Sequence, residues 1–468
     1  MNVWDIAIIG AGASGLAVAV EASSLGASVI VLEKNHVPGR KILSTGAGKC
    51  NFSNEHIGIS DYHGGDGFET FLASAFAALP PSEIIAFFEK NGLLWRRGEN
   101  GKLFPVSMKA QDVADVLCNA ARRNGAEIRI LTKAEKITKC VRGGKNLFSI
   151  NTQTVPPQWD KKARPAPSDT VYARNLIVAT GSPCYPQIGG TDSGYSLLRG
   201  LGHSITDIMP AIVPFRTTEK IARDIDGVRT DAEIFFCHDT DLFRELKNSV
   251  SDNKKLENVV SNNKKNKNVA ENNNPNAENG IIAHKCGEII FAKGCVSGPA
   301  VLDCSRAVQN ALKTAPVYAV MDFFPDYSEA AFSAMLQCRR DTMGGNVSFS
   351  DFMTGMQNGK LLSAAAMLCG ISPSAKLHDV REQSFASFGR LLKFWPFRIA
   401  ESAGFEAAVV AAGGVPLSEI NPATFESRIV PGMFITGECL DIDGRSGGFN
   451  LHFAWTSGIL AARNAFSN

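Results

Sequence analysis

The 468-residue chain lacks several features that would narrow its function quickly. It has no excess of either charge: 48 Lys and Arg face 46 Asp and Glu, a formal net charge of +2. Bulk charge therefore gives no argument for nucleic acid or a membrane surface as a partner. There is no C-x-x-C among the eleven cysteines, and their spacing relative to histidine suggests no zinc site. No basic region leads into an apolar core at the N-terminus, because Asp5 and Gly10 interrupt it. The apolar runs are short and broken by glycine, so no transmembrane helix is expected. These absences lead to the expectation of a soluble, cytoplasmic protein with reduced thiols and no metal.

What is present begins at residue 5. DIAIIG is a short apolar β-type run, followed by Gly10-x-Gly12-x-x-Gly15, a stretch of helical spacing, and a second apolar run, ASVIVLEKN, that ends near Glu33. Each part has a physical job. Gly10 permits a tight turn, Gly12 lets the backbone approach a pyrophosphate, and Gly15 lets a helix pack closely on the strand. The helix start offers free N–H groups to phosphates. Glu33, 18 residues beyond Gly15, suits ribose hydroxyls and would repel a 2′-phosphate. The spacing predicts an adenine-dinucleotide site and leaves FAD and NAD both open. No second glycine-strand-acid unit follows, so a stable NAD(P)H domain is not evident.

Immediately downstream stands GRKILSTGAGKCNFSN (39–54). No strand-turn-helix-acid pattern frames it, so it does not read as a second phosphate cradle. The spacing further predicts helices over 69–79, 81–91 and 108–124, and one or two strands over 126–140. A strand at Leu176–Ala179 ends in Thr180-Gly181, and a helix follows over 192–201. From 211 to about 305, short segments such as AIVPF, AEIFF, GEIIFA and AVLDCS suggest a β-rich module. Residues 246–280 carry six lysines against four acids, with twelve asparagines between 248 and 279, and read as a disordered surface loop. Residues 311–375 read as a small helical unit. Near the C-terminus, GMFITGECLDIDGRSGGFN gives a short strand, a turn at Gly437-Glu438, an Asp441 beyond it, and a helix starting at a Gly-Gly step. Such a helix start can stabilise negative charge, as on a reduced flavin.

Together the motifs IIGAGASGL…LEK, GRKILSTGAGKCNFSN, ATGSPCYPQIGGTDSGY, VSGPAVLDCS, AAGGVPLSEINPATFESR and GMFITGECLDIDGRSGGFNLHFAWTSG resemble those of the bacterial YhiN/BaiN-type flavoproteins. The resemblance spans nearly the whole chain apart from the Asn/Lys insert. It implies an α/β fold: a discontinuous glutathione-reductase-type Rossmann FAD domain, with a β-barrel-like insert and a small helical insert. The expected boundaries are 1–205 and 376–468 for the FAD domain, 206–310 for the β-rich insert and 311–375 for the helical one. Carried over residue by residue, the resemblance implies FAD contacts from Gly10, Gly12, Ala13, Ser14, Gly15, Glu33, Arg40, Lys41, Asn51, Ala134, Thr180, Gly181, Gly437, Glu438, Asp441, Gly448 and Asn450. The chain departs from the family pattern at Phe449, where Tyr is frequent, and at Gly48-Lys49, where Gly-Arg is.

Members of this family are linked either to oxidation of small amino compounds or to reduction of conjugated double bonds in steroid-like acids. The expectation is therefore an FAD-dependent oxidoreductase acting on a small molecule, with NAD(P)H, oxygen or a quinone as second partner. A non-catalytic flavin-binding protein and a single-Rossmann NAD dehydrogenase are the alternatives. No acid/base residue stands out among Cys50, Tyr185, His203, Cys439 and His452, and the oligomeric state is open.

Overall fold

The structure is a computed structural model that describes residues 3–157, 159–160, 162, 164–241 and 280–467. The chain divides into two units, Met1–Ala211 with Phe405–Asn468, and Ile212–Gly404. The Asn/Lys-rich segment read above as a disordered loop lies, apart from Gly280, outside the described residues.

The first unit is built on a seven-stranded sheet. Its elements begin with β1 (Val3–Ile9), α1 (Ala13–Ser24), β2 (Val29–Leu32) and α2 (Arg40–Ser44). Then come α3 (Ala110–Arg123), β3 (Glu127–Arg129), β4 (Thr132–Arg142), β5 (Lys145–Thr154) and β6 (Ala166–Val178). The strand order is β3-β2-β1-β6-β5-β4. Strands β3, β2, β1 and β6 run parallel. β6 divides one edge between two partners. Its first half pairs antiparallel with β5, and Leu176–Val178 pair parallel with the strand Met433–Ile435. The last strand of the parallel layer thus comes from the far end of the chain.

Residues Ile6–Ile8 and Val29–Val31 are wholly buried, as parallel strands covered on both faces require. α1 is buried from Ser14 to Ser23, and its small residues let the C-terminal helix Phe449–Ser467 lie against it. At that crossing a Cβ on Gly458 would stand 2.6 Å from the Ser14 carbonyl oxygen, so glycine sets the approach.

The second unit contains a closed six-stranded barrel. Its strands are β7 (Phe215–Thr217), β8 (Arg229–Cys237), β9 (Ile281–Ala292), β10 (Cys295–Ser297), β11 (Val317–Asp322) and β12 (Trp395–Ser402). They run in the order β7-β10-β9-β8-β11-β12, and β12 returns to pair with β7. Phe215, Ile234, Phe236, Ile289, Phe291, Met321 and Phe397 belong to its apolar core.

Two expectations change here. AVLDCS, read above as a β segment, lies in a helix, Pro299–Leu312. Pro299 starts it, and Ala300, Val301, Cys304 and Val308 recur at helical spacing on its buried side. The return to the first unit comes at Phe405 rather than at 376, because β11 and β12 are barrel strands on either side of the helical residues 329–393. Among the described residues no single helix is long and apolar enough to cross a membrane.

Candidate functional site

The glycine loop between β1 and α1 separates packing from open space. A Cβ on Gly10 would meet the Ala179 carbonyl oxygen at 2.5 Å, and one on Gly15 would meet the Gly10 carbonyl oxygen at 2.0 Å. Those two glycines are spent on packing the turn. A Cβ on Gly12 would meet nothing within 4 Å, nor would one on Gly181 at the end of β6. Gly12 is the N-cap of α1, with no side-chain cap and no acidic residue in the first turn. The amides at Ala13 and Ser14 therefore start a helix whose positive end faces room for an anion.

Glu33 is buried at the end of β2. One carboxylate oxygen accepts from the Ala11 amide (2.7 Å), and the other from the Asn35 amide (2.8 Å) and the Asn35 side chain (2.7 Å). A carboxylate offers about four acceptor sites, so one remains for a hydroxyl. Asn35 in turn accepts from Arg40 Nη1 at 3.3 Å, which joins the acid to α2. The Gly39 amide donates to the Ala11 carbonyl at 2.7 Å, docking the start of α2 on the glycine loop. Ala134 lies in β4 next to a bulge before Lys136, two residues past Thr132, whose amide donates to the Glu33 carbonyl. Asn35 was not among the sequence-derived residues. Its place two positions after an acid at a strand end was the available signal.

Lys41 reaches across the chain to Glu438, and the two form an ion pair. The second Glu438 oxygen accepts from Ser182 Oγ (2.7 Å) and the Ala411 amide (2.9 Å). Burial opposes the charge on Lys41, but the Glu438 carboxylate, with Cys184 and Tyr185 beside it, outweighs burial and holds the ammonium pKa above its ordinary value. Thr180 Oγ1 lies 3.3 Å from Cys439 Sγ, beneath the turn after β6. Gly437 has φ +67°, and a Cβ there would stand 2.6 Å from Ser14 Oγ, so the first and last turns of the site touch. Asp441 is buried and accepts from Thr206 Oγ1 at 3.2 Å.

The NFSN end of the 39–54 segment is fastened to the start of the C-terminal helix. Trp455 Nε1 donates to the Phe52 carbonyl (2.9 Å), Ser53 Oγ meets His452 Nδ1 (2.8 Å), and Asn54 Nδ2 donates to the Gly447 carbonyl (3.0 Å). Gly448, at φ +98°, leaves no room for a side chain, since a Cβ would be 2.6 Å from the Ser53 carbonyl oxygen. Two side chains expected to face a cofactor make local closures here. Asn51 Oδ1 accepts from the Leu103 amide at 3.0 Å, and Asn450 exchanges two hydrogen bonds with Gly444, at 2.7 and 2.6 Å.

The acid/base candidates resolve unevenly. Cys50 is fully buried in the apolar core, and burial pushes its thiol up to about 12. Cys439 is also buried and its thiol is raised by burial. His203 has both ring nitrogens engaged, with Glu419 at 2.6 Å and Ser427 at 2.9 Å. His452 is buried with Nε2 unpartnered among the described residues, and burial pushes its pKa down to about 3. Tyr185 sits at φ 55° beside the Lys41–Glu438 pair, and burial raises its hydroxyl pKa.

Room at Gly12 and Gly181, the remaining acceptor on Glu33 and the helix start at Gly448 all lie within the first unit. These groups, room at a helix start, a carboxylate with a free acceptor and a second helix start, are of the kinds that hold an adenine dinucleotide such as FAD. The chain is 28% identical over 463 residues to a "3-dehydro-bile acid delta(4,6)-reductase" from Clostridium scindens, with 98% of each protein covered. It is 24% identical to a "ribosomal RNA dihydrouridine synthase" from Escherichia coli, over 99% of this chain and 98% of that protein. Among solved structures, a 3-ketosteroid delta1-dehydrogenase from Sterolibacterium denitrificans aligns with the whole of both chains at a TM-score of 0.47 and 12% identity. The family described as HI0933-like protein Rossmann domain matches residues 4–464, and the chain belongs to that family.

Proposed function

We propose that this FAD-dependent oxidoreductase reduces a carbon–carbon double bond conjugated to a carbonyl in a small, steroid-like acid, with NAD(P)H as transient hydride donor. The observation that carries the reading is the cradle: Gly12 faces open space while Gly10 and Gly15 are packed shut, with Glu33 beside them. Both relatives are named for the same kind of chemistry. A 3-oxo-4,6-diene and a uridine base each carry a double bond in conjugation with a carbonyl, and each double bond reduced gains two hydrogens.

In this reading the amides of Ala13, Ser14 and Gly15 bind the pyrophosphate, and Glu33 takes a ribose hydroxyl. The backbone beside Ala134 borders the adenine. Arg40 is held toward Glu33 by Asn35, and Lys41 keeps a fixed positive charge because Glu438 compensates it. Thr180, Gly181, Gly437 and Asp441 line the far half of the cofactor. The helix start at Gly448 supplies a positive end toward which charge can develop. Bound FAD would supply the hydride transfer, and the chain orients it and tunes its potential. The overall change adds a hydride and a proton across the substrate bond and oxidises NAD(P)H to NAD(P)⁺.

The ribosomal RNA name of the Escherichia coli relative favours one second reading, in which the acceptor is a uridine base. Reducing the enzyme anaerobically with NADPH and then mixing it with a 3-oxo-4,6-diene steroid acid, or with uridine-containing RNA, separates them. The expected result is reoxidation by the dienone. Reoxidation by RNA alone supports the second reading. No reoxidation by either, with oxidised enzyme bleached instead by aminoacetone, replaces both with amine oxidation.

A further inference from the structure

The barrel unit carries a cluster that the flavin site does not use. Strands β8 and β9 pair antiparallel, with Glu233 opposite Cys286 and Phe235 opposite His284. Directly opposed residues share a face, and Ile234 and Phe236, one position on, belong to the apolar core. Glu233, His284 and Cys286 therefore stand together on the face turned away from that core. His284 Nε2 lies 2.8 Å from Glu233 Oε1, and Cys286 Sγ lies 3.8 Å from the same oxygen. One donor atom from each of the three falls within 4.8 Å of the others.

We propose that Glu233, His284 and Cys286 form a binding site for a zinc-class divalent cation. Carboxylate, imidazole and thiolate are the donor types that such an ion takes, in a roughly tetrahedral shell. Bond lengths of about 2.0–2.3 Å place tetrahedral ligand atoms about 3.3–3.6 Å apart, close to the separations seen here. The site is partly pre-arranged. His284 stacks on Phe235 with ring centroids 4.3 Å apart and planes at 15°, which fixes the imidazole. Glu233 is only 4% exposed, so its carboxylate is held on the strand surface rather than waving in water. Asp322, opposite Glu233 on β11, pairs with Lys393 at 2.7 Å and stays outside the donor set.

Three protein ligands leave a fourth position. Cys286 also belongs to the wall of a cavity of about 460 Å³ that includes Asp231, Tyr327, Met356 and Gln357. Water or a small solute from that cavity would complete the shell. Sequence spacing did not disclose this site. His284 and Cys286 are two residues apart on one strand, and the third ligand comes from its neighbour, 51 positions from His284.

The test is competition between the FAD-loaded full chain, stripped with a chelator, and a chromophoric chelator for Zn²⁺. The expected result is one zinc per chain, with affinity falling at least about tenfold in His284→Ala and in Cys286→Ser. Cys338→Ser, at another exposed cysteine, should bind as the wild type does. Flavin content and melting temperature report whether each variant is folded. Because Cys286 is exposed, Cys286→Ser tests the site even if His284→Ala unfolds. The absence of stoichiometric zinc in the wild type, or wild-type affinity in Cys286→Ser, overturns the proposal.

Discussion

His452 Nδ1 lies 2.8 Å from Ser53 Oγ across 399 residues of sequence, while its Nε2 is buried without a hydrogen-bond partner among the described residues. The pair joins the 39–54 segment to the C-terminal helix, and the ring is held neutral by burial, with its pKa down at about 3. In the unfolded chain the same group titrates near 6.5. A histidine depressed in this way contributes stability above pH 6.5 and loses it as pH falls toward 3, because only the unfolded state takes the proton.

The first prediction follows. Between pH 7 and pH 5 the protein should lose about 2 kcal/mol of stability through this one group, at about 1.4 kcal/mol per pH unit below 6.5. His452→Gln, which keeps one partner for Ser53, should start less stable and lack that share of the slope. Denaturant unfolding at a series of pH values measures it. Equal slopes in the two proteins would show that His452 titrates normally.

Cys50 supplies a second. It is fully buried and its thiol is pushed up to about 12, so it is neither a thiolate nor accessible at neutral pH. Chelator-treated native protein exposed to a thiol reagent should be labelled at the exposed Cys286 and Cys338 and spared at Cys50. Cys50→Ala should retain turnover to within about threefold, with a stability loss of about 1 kcal/mol from the lost sulfur. Rapid labelling of Cys50, or loss of turnover in a folded Cys50→Ala variant, would return it to the chemistry.

A third concerns Glu438, whose carboxylate receives Lys41, Ser182 Oγ and the Ala411 amide. Glu438→Gln keeps the shape, leaves the half-buried Lys41 without its counter-charge and should cost about 2 kcal/mol. The raised Lys41 pKa is a stability contribution present below the ordinary lysine range and lost as pH rises through it. The variant should therefore differ most from wild type at neutral pH and converge with it under strongly alkaline conditions. A gap that persists unchanged into alkali would place the cost in packing instead.

Much of the first unit was legible because its signals are local. A glycine turn, an acid at a strand end and a helix stop each declare themselves within a few residues, as Gly10, Glu33 and Gly125 do. What could not be read was which backbone and side-chain groups each polar side chain would meet, near or far along the chain. Asn51 Oδ1 takes the Leu103 amide and Asn450 pairs with Gly444, contacts within the protein that the motif pattern did not announce. Glu438 was expected against FAD, and its carboxylate is occupied by Lys41, Ser182 and Ala411. AVLDCS failed for another reason: six apolar-rich residues fit a strand or one side of a helix equally well, and Pro299 decides it. The barrel closure by β12 was hidden because its partner β7 lies on the far side of the helical residues.

The most direct test of the account is FAD titration into apoprotein of wild type, Gly12→Ala and Gly15→Ala, with melting temperature measured on the same samples. A Cβ at position 12 meets nothing in the protein, whereas one at position 15 stands 2.0 Å from the Gly10 carbonyl oxygen. Gly12→Ala should keep apoprotein stability within about 1 kcal/mol and weaken FAD binding about tenfold to a hundredfold. Gly15→Ala should lose about 3 kcal/mol of stability before any cofactor is added. Wild-type FAD affinity in Gly12→Ala, or no saturable FAD binding by the wild type, would contradict the assignment of this loop as the FAD cradle.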